Sequence, residues 1–372
     1  MEEAANHEVL LPDTKGLELP TVSGEGTFFS IQALRGVAAV LVVALHTTQT
    51  MNHHFPGISG PGFSGGAGVD IFFVISGFVM TMSSRTLLRS MHPMRTFLWK
   101  RIRRVVPMYW LATTVKLGLL MVVPAAGGLL AQGAWHVAAS YLFIPSIGAK
   151  GEVLPILIVG WTLNYEMLFY LIVATALGMR LRMVPFVSAV ILLLSLIGFV
   201  FADRLPVALS LVSPILMEFL YGVLIAQLTA RLHARRSSQK IFCYAAIVLA
   251  FAVIELSPDE NVLRTRILVW GLAALAMVTA AIALEADLRR WIPRWMLELG
   301  DSSYSLYLTH TMTLAGIGSL LSHFRGLDRS GYAVEWVFAA ALCLLVGELV
   351  YRWVELPITH RMKGKKTAVA HA

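Results

Sequence analysis

The stretch SIQALRGVAAVLVVALHTTQT, residues 30–50, decides the class of this protein. An α-helix rises ~1.5 Å per residue, so a run of this length crosses a hydrocarbon core ~30 Å thick. The run holds two ionisable side chains, Arg35 and His46, and apart from Gln32 and Gln49 near its ends is otherwise apolar or small. Comparable runs cover most of the chain: 67–86, 104–125, 157–179, 183–202, 207–229, 239–256, 263–285, 300–322 and 332–354. Ten spans are therefore expected, in an all-α polytopic membrane protein. Composition agrees, because 57% of the 372 residues are hydrophobic and 14% charged. A water-soluble domain has about 45–50% and about 25%. Trp135 to Ile147 is too short to cross and is expected at the interface, with Trp135, Tyr141 and Phe143 as its anchors.

The formal charge of +8 does not indicate nucleic acid, because the basic residues sit in short connections between the apolar runs. The second, fourth, sixth and eighth connections and the C-terminal tail hold twenty Lys and Arg, seven of them between Arg85 and Arg104. The opposite connections hold six: Lys150, Arg204, Arg264, Arg266, Arg325 and Arg329. The positive-inside rule then puts both termini in the cytoplasm, which in a bacterium makes this an inner-membrane protein. The expected organisation is a polar N-terminal tail over 1–29, a membrane domain over 30–356 and a basic tail over 357–372. No cleavable leader or lipidation signal is expected. Cys243 and Cys343 stand alone in apolar runs and read as packing residues, and no spacing suggests a metal.

An ionisable side chain within a bilayer costs about 2.5 kcal/mol or more unless paired or wetted, so each one needs a reason. Arg35 and His46 are eleven residues apart, close to three turns, and share one face of their helix about 16 Å apart. A ligand or pathway through the membrane would use such a stripe. Alternatively, Arg35 snorkels to the inner surface and His46 is a satisfied interfacial residue. Asp70 opens the second span and reads either as a first-turn acid or as a partner of His46. Glu166 lies deeper, in a segment with Trp161, Tyr165, Phe169 and Tyr170, aromatics of the kind that stack on sugars or form interfacial belts. His310 shares a face with Ser302, Ser303 and Tyr307, which suits helix–helix glue or a second site residue. Lys116 lies mid-span and is open to pairing with Glu218 or to lining a pore, while Ser76-Gly77 suits close helix packing.

The blocks around these residues resemble the acyltransferase-3 family of membrane O-acyltransferases. The resemblance rests on Arg35 with His46 eleven positions on, Gly68-Val-Asp70 through Ser76-Gly77-Phe78, and Phe97 through Arg101-x-x-Arg104 to Tyr109-Trp110. It continues in Trp161-Thr-Leu-x-x-Glu166-x-x-Phe169-Tyr170, with Thr where the family has Ser, in Gly300-x-Ser302-Ser-Tyr304 to His310, and in Glu355-Leu-Pro357. It covers about 30–360, although spans five to eight contribute only hydrophobic character.

The resemblance implies transfer of an acyl group, usually acetyl from cytoplasmic acetyl-CoA, to a hydroxyl of an exopolysaccharide or other cell-surface glycan. Acetyl-CoA would be a substrate, and no resident cofactor is expected. In that reading His46 is the general base that deprotonates the hydroxyl, because an imidazole titrates near neutrality. Arg35 fixes or polarises the donor, and Arg101, Arg104 and Lys100 hold its phosphates, guanidinium groups being bidentate phosphate ligands. Asp70 or Glu166 orients the base, or Glu166 contacts the hydroxyls of the acceptor, and Trp161, Tyr170 and His310 contact a polysaccharide or lipid-linked oligosaccharide acceptor. The rival readings are a transporter or flippase of lipid-linked sugars, and a non-catalytic subunit of a polysaccharide assembly complex. A transporter is expected to show two related halves, and no internal symmetry is visible.

Overall fold

The computed structural model describes residues 28–55, 58, 60, 65–88, 90–122, 133–257, 263–321 and 329–363. The regular structure of these residues is all helical, with no strand among them. The helices are α1 Phe29–His54, α2 Ala67–Leu87, α3 Pro93–Val122, α4 Ala134–Tyr141, α5 Trp161–Gly178, α6 Met183–Phe201 and α7 Met217–Leu228. They continue as α8 Ser237–Leu256, α9 Leu263–Arg266, α10 Leu272–Ala283, α11 Glu285–Trp291, α12 Arg294–Leu321, α13 Arg329–Val350 and α14 Leu356–Lys363. Seven helical segments are long and apolar enough to cross a membrane, or eight if α10 and its bent continuation α11 count as one. The helices α3 and α12, at 30 and 28 residues, also exceed the ~20 that a crossing needs, but they carry more charge. At eight residues, about 12 Å, α4 cannot cross.

Their order from centre to rim follows from side-chain size and polarity. α1 buries Ala33, Gly36, Ala38 and Ala39 and packs most extensively on α12, with α2 and α13 beside it. A Cβ on Gly300 of α12 would lie 2.0 Å from the Gln32 carbonyl oxygen, so only glycine lets these two backbones meet. The second tight crossing joins α2 to α7, where a Cβ on Gly77 would lie 2.0 Å from the Phe219 carbonyl oxygen. This is the close packing that Ser76-Gly77 suggested. At the rim, α6 exposes Leu192, Leu193, Leu196 and Val200, and α8 exposes Ile241, Phe242, Val248 and Leu249. Such apolar outer faces are stable in lipid and would aggregate in water, so the chain is a membrane protein.

The start of α1 is capped from a distance. Phe28 at the N-cap has no acceptor, and the Glu285 carboxylate of α11 takes the N–H groups of Phe29 (2.8 Å) and Ser30 (3.0 Å) and the Ser30 hydroxyl (2.5 Å). Glu285→Ala is therefore expected to cost about 1–2 kcal/mol, as a lower thermal unfolding midpoint in detergent. Glu285→Gln, which keeps one acceptor oxygen, should recover part of that loss.

At the other end, the segment expected as a basic tail begins as α14, which packs on α3 and receives a hydrogen bond from Arg103 to the Met362 carbonyl (2.5 Å). The expected tails at 1–27 and 364–372 lie outside the described residues.

Candidate active site

The stripe on α1 faces α12, which runs beside it in the same direction. Arg35 donates to the Ser303 hydroxyl (3.0 Å) and to the Gln32 side-chain oxygen (3.2 Å). His46, three turns on, meets fully buried His310, with Nδ1 3.4 Å from the His310 Nε2 and ring centroids 5.0 Å apart. Eleven residues separate the pair on α1 but seven separate their partners on α12, about 16 Å against about 10 Å. The long Arg35 side chain spans the difference.

The tautomers of both rings follow from their partners. His46 Nδ1 lies 2.9 Å from the Val42 carbonyl oxygen and His310 Nδ1 lies 3.1 Å from that of Leu306. A carbonyl only accepts, so each Nδ1 carries the hydrogen. The His46 Nδ1–H is then shared between the Val42 carbonyl at 2.9 Å and His310 Nε2 at 3.4 Å, and His46 Nε2 is the basic nitrogen of the pair. This is the arrangement of a base and its orienter. Tyr307 completes the wall, with its ring 5.9 Å from His310 and its hydroxyl 2.9 Å from Thr162 Oγ1.

Around Arg35 lies a second polar cluster. Glu166 of α5 accepts from the Ser76 hydroxyl of α2 (3.2 Å) and from Tyr170. Asp301 accepts from Gln32, and Glu355 accepts from Ser305 (2.5 Å). Arg104, Glu355, Asp301 and Glu166 all act electrostatically on Arg35. A π-helical turn, Tyr351–Glu355, adds an extra residue to the end of α13 at the position of Glu355.

Of the basic residues on α3, Arg101 points inward, donates to the Ser83 hydroxyl (2.7 Å) and lies over the Phe97 ring. Its Nε is buried without an acceptor, an orphaned donor at the edge of the cluster. Arg104 and Lys100 stay exposed.

Several side chains stand elsewhere than the sequence suggests. Asp70 does not orient His46. Both its oxygens are bound by Arg266, at 2.7 and 3.1 Å, and the carboxylate is fully buried. Its competitor for that role, Glu166, also points to the Arg35 cluster, so the orienting position beside His46 is filled by His310. His310 is thus turned to His46. Tyr170 is buried with its hydroxyl on Glu166 and its ring edge-on to Phe97, so it holds the carboxylate and presents no face for a sugar. Trp161 remains half-buried, edge-on to Phe73 and Tyr165.

Lys116 does not pair with Glu218. Its charged neighbour is Lys150, and Glu218 is buried beside Asp70 and Arg266. Neither Glu218 oxygen has a hydrogen-bond donor. Sequence reasoning missed Gln32, Asp301 and the Asp70–Arg266 pair. Asp301 carried a usable signal, a carboxylate within an otherwise mildly polar helix. Arg266 counted only as a loop charge, although it is 14% exposed and has its partner 196 positions away.

A family described as the acyltransferase domain matches residues 28–352. The chain belongs to the acyltransferase-3 family. The match takes in every element of both polar clusters except Glu355. The protein is similar to the exopolysaccharide production protein ExoZ of Rhizobium meliloti (strain 1021), 35% identical over 338 residues, which are 88% of this chain and 98% of the relative. No solved structure matches it. The family assigns the enzyme class, and this protein is an acyltransferase of the membrane.

Proposed function

We propose that this acyltransferase moves an acetyl group from cytoplasmic acetyl-CoA to a hydroxyl of an exopolysaccharide or its lipid-linked precursor, as a ten-span protein of a bacterial inner membrane with both termini inside. The observation that carries the reading is the pairing of Arg35 and His46 on one face of α1, each held by α12, with a polar cluster at one end and an imidazole pair at the other. The ten spans are the seven apolar segments, the bent α10–α11 pair, α3 and α12. The similarity to an exopolysaccharide production protein supports the class of acceptor.

The acceptor oxygen attacks the thioester carbonyl while His46 Nε2 takes its proton. The carbon–sulfur bond then breaks, and the proton passes from the imidazolium to the departing thiolate, leaving the ester and free coenzyme A. His310, accepting from Nδ1–H, keeps Nε2 basic and the ring aimed. Arg35 stands where a guanidinium can polarise the donor, and Glu166, with Ser76 and Tyr170, balances that charge. The orphaned Arg101 Nε and the exposed Arg104 and Lys100 supply donors for the phosphates of the coenzyme at the cytoplasmic mouth. Trp161 stays the aromatic candidate for the sugar.

The deciding experiment supplies the protein, reconstituted in bilayers, with acetyl-labelled coenzyme A and purified exopolysaccharide. Label on the polymer is the expected result; unmodified polymer crossing the bilayer would instead make the protein a carrier of glycan. His310→Ala is expected to lower kcat by about 100-fold with KM for the donor little changed, the cost of a misaimed base. His310→Gln, which offers an oxygen acceptor to Nδ1–H, should restore part of it, whereas a purely structural His310 would show loss of folded protein in both variants.

A further inference from the structure

Between the end of α7, the start of α8 and the end of α10 lies a cavity of about 360 Å³. Its lining mixes polar Arg231, His233, Ser238 and Gln239 with apolar Phe242 and Cys243, Ser238 and Phe242 being one turn apart on α8. Arg235 and Arg236 belong to the same short connection, and all three arginines are exposed. None of them has an ion pair among the described residues. The nearby carboxylates are already engaged: Asp287 holds Lys240 at 2.8 Å, and Glu285 caps α1. The N-cap of α8 is Arg236, a side chain with no acceptor to give the first-turn N–H groups, so the positive end of a 20-residue helix opens on the same cavity.

The depth of the cavity in the membrane follows from its neighbours. The chain turns by 80° from the Ile267–Ala283 helix into α11, immediately after Ala283 in the cavity lining. Trp291 at the end of α11 and Trp295 at the start of α12 are 80% and 63% exposed, as amphipathic rings are at the level of the lipid headgroups. Farther along α8, Ile241, Phe242, Val248 and Leu249 present an open apolar surface. A positive, unpaired mouth at headgroup depth that continues into a lipid-facing helix is complementary to a phosphodiester carrying acyl chains.

We propose that this cavity binds the headgroup phosphate of an anionic glycerophospholipid, with the acyl chains lying along the outer face of α8. The inference rests on the membrane reading of the fold and is independent of acyl transfer. Arg231, Arg235 and Arg236 provide the charge, Ser238 and the α8 amides the hydrogen bonds, and Phe242 the first apolar contact.

The test is native mass spectrometry of the full-length protein in detergent, titrated with phosphatidylglycerol or phosphatidylcholine. The wild type is expected to retain phosphatidylglycerol in preference. Arg231→Gln, Arg235→Gln and Arg236→Gln combined should weaken that retention by roughly 100-fold, at about fivefold per arginine. Ser238→Glu, one exposed substitution that puts a carboxylate in the mouth, should do the same and serves if the triple variant folds poorly. Equal retention of the two lipids by the wild type, or undiminished phosphatidylglycerol on the folded variants, overturns the proposal. Displacement of phosphatidylglycerol by an equal concentration of glycerol 3-phosphate also overturns it, reassigning the cavity to a soluble phosphate.

Discussion

His46→Ala is expected to reduce kcat for acyl transfer by about 10²–10⁴-fold, the usual contribution of a positioned general base. The donor KM should hold, because the coenzyme is gripped at the other end of the stripe by Arg35 and the α3 arginines. Folding should hold as well. The imidazole is only half-buried, and one of its bonds is to the Val42 carbonyl of its own helix. Steady-state kinetics in bilayers, set beside the unfolding profile of the same sample, reads both quantities. Turnover within tenfold of the wild type would remove the imidazole from the chemistry. Arg35→Ala should differ in kind, because it deletes a charge facing Glu166, Asp301 and Glu355 and with it the attraction for an anionic donor. Its signature is a raised donor KM.

Arg266→Ala is expected to cost about 3–5 kcal/mol of stability, more than any other single substitution considered above. It strands the fully buried Asp70 and removes the one cation from its contact with Glu218. Thermal unfolding in detergent, or the yield of folded protein, reads the loss. Adding Glu218→Gln to that background should recover part of it, because one buried carboxylate is removed and an amide donor now stands beside Asp70. If Arg266→Ala instead left stability intact and removed activity, the Asp70–Arg266 pair would belong to the catalytic machinery and not to the joint between α2 and the α9 turn.

The local part of this protein was legible along the chain. Apolar runs gave most of the helices to within a few residues, because a lipid core imposes one length and one hydrogen-bonding solution on every crossing, but α3 begins eleven residues before the expected 104 and α7 ten residues after the expected 207. The eleven-residue interval from Arg35 to His46 gave one stripe, because a helix has a fixed period and both side chains belong to it. Glu166 was found by its cost in a bilayer.

What the sequence left open was always a partner across helices. Arg266 and Asp70 are 196 positions apart and His46 and His310 are 264 apart, and no periodicity relates them. Asp70 had two readings, an orienter of the base or a first-turn acid; it does lie in the first turn of α2, and the structure adds an ion pair with Arg266 that neither reading contained. The order in which the helices pack was equally hidden, since it depends on where Gly77 and Gly300 let backbones touch. Sequence alone determined membrane residence, the all-helical class and the ionisable stripe on α1, because these follow from one-dimensional burial cost and a fixed helical repeat. Tertiary structure alone decided which histidine supports which and which carboxylate answers which arginine, because hydrogen bonds reach about 3 Å and only packing brings distant turns that close.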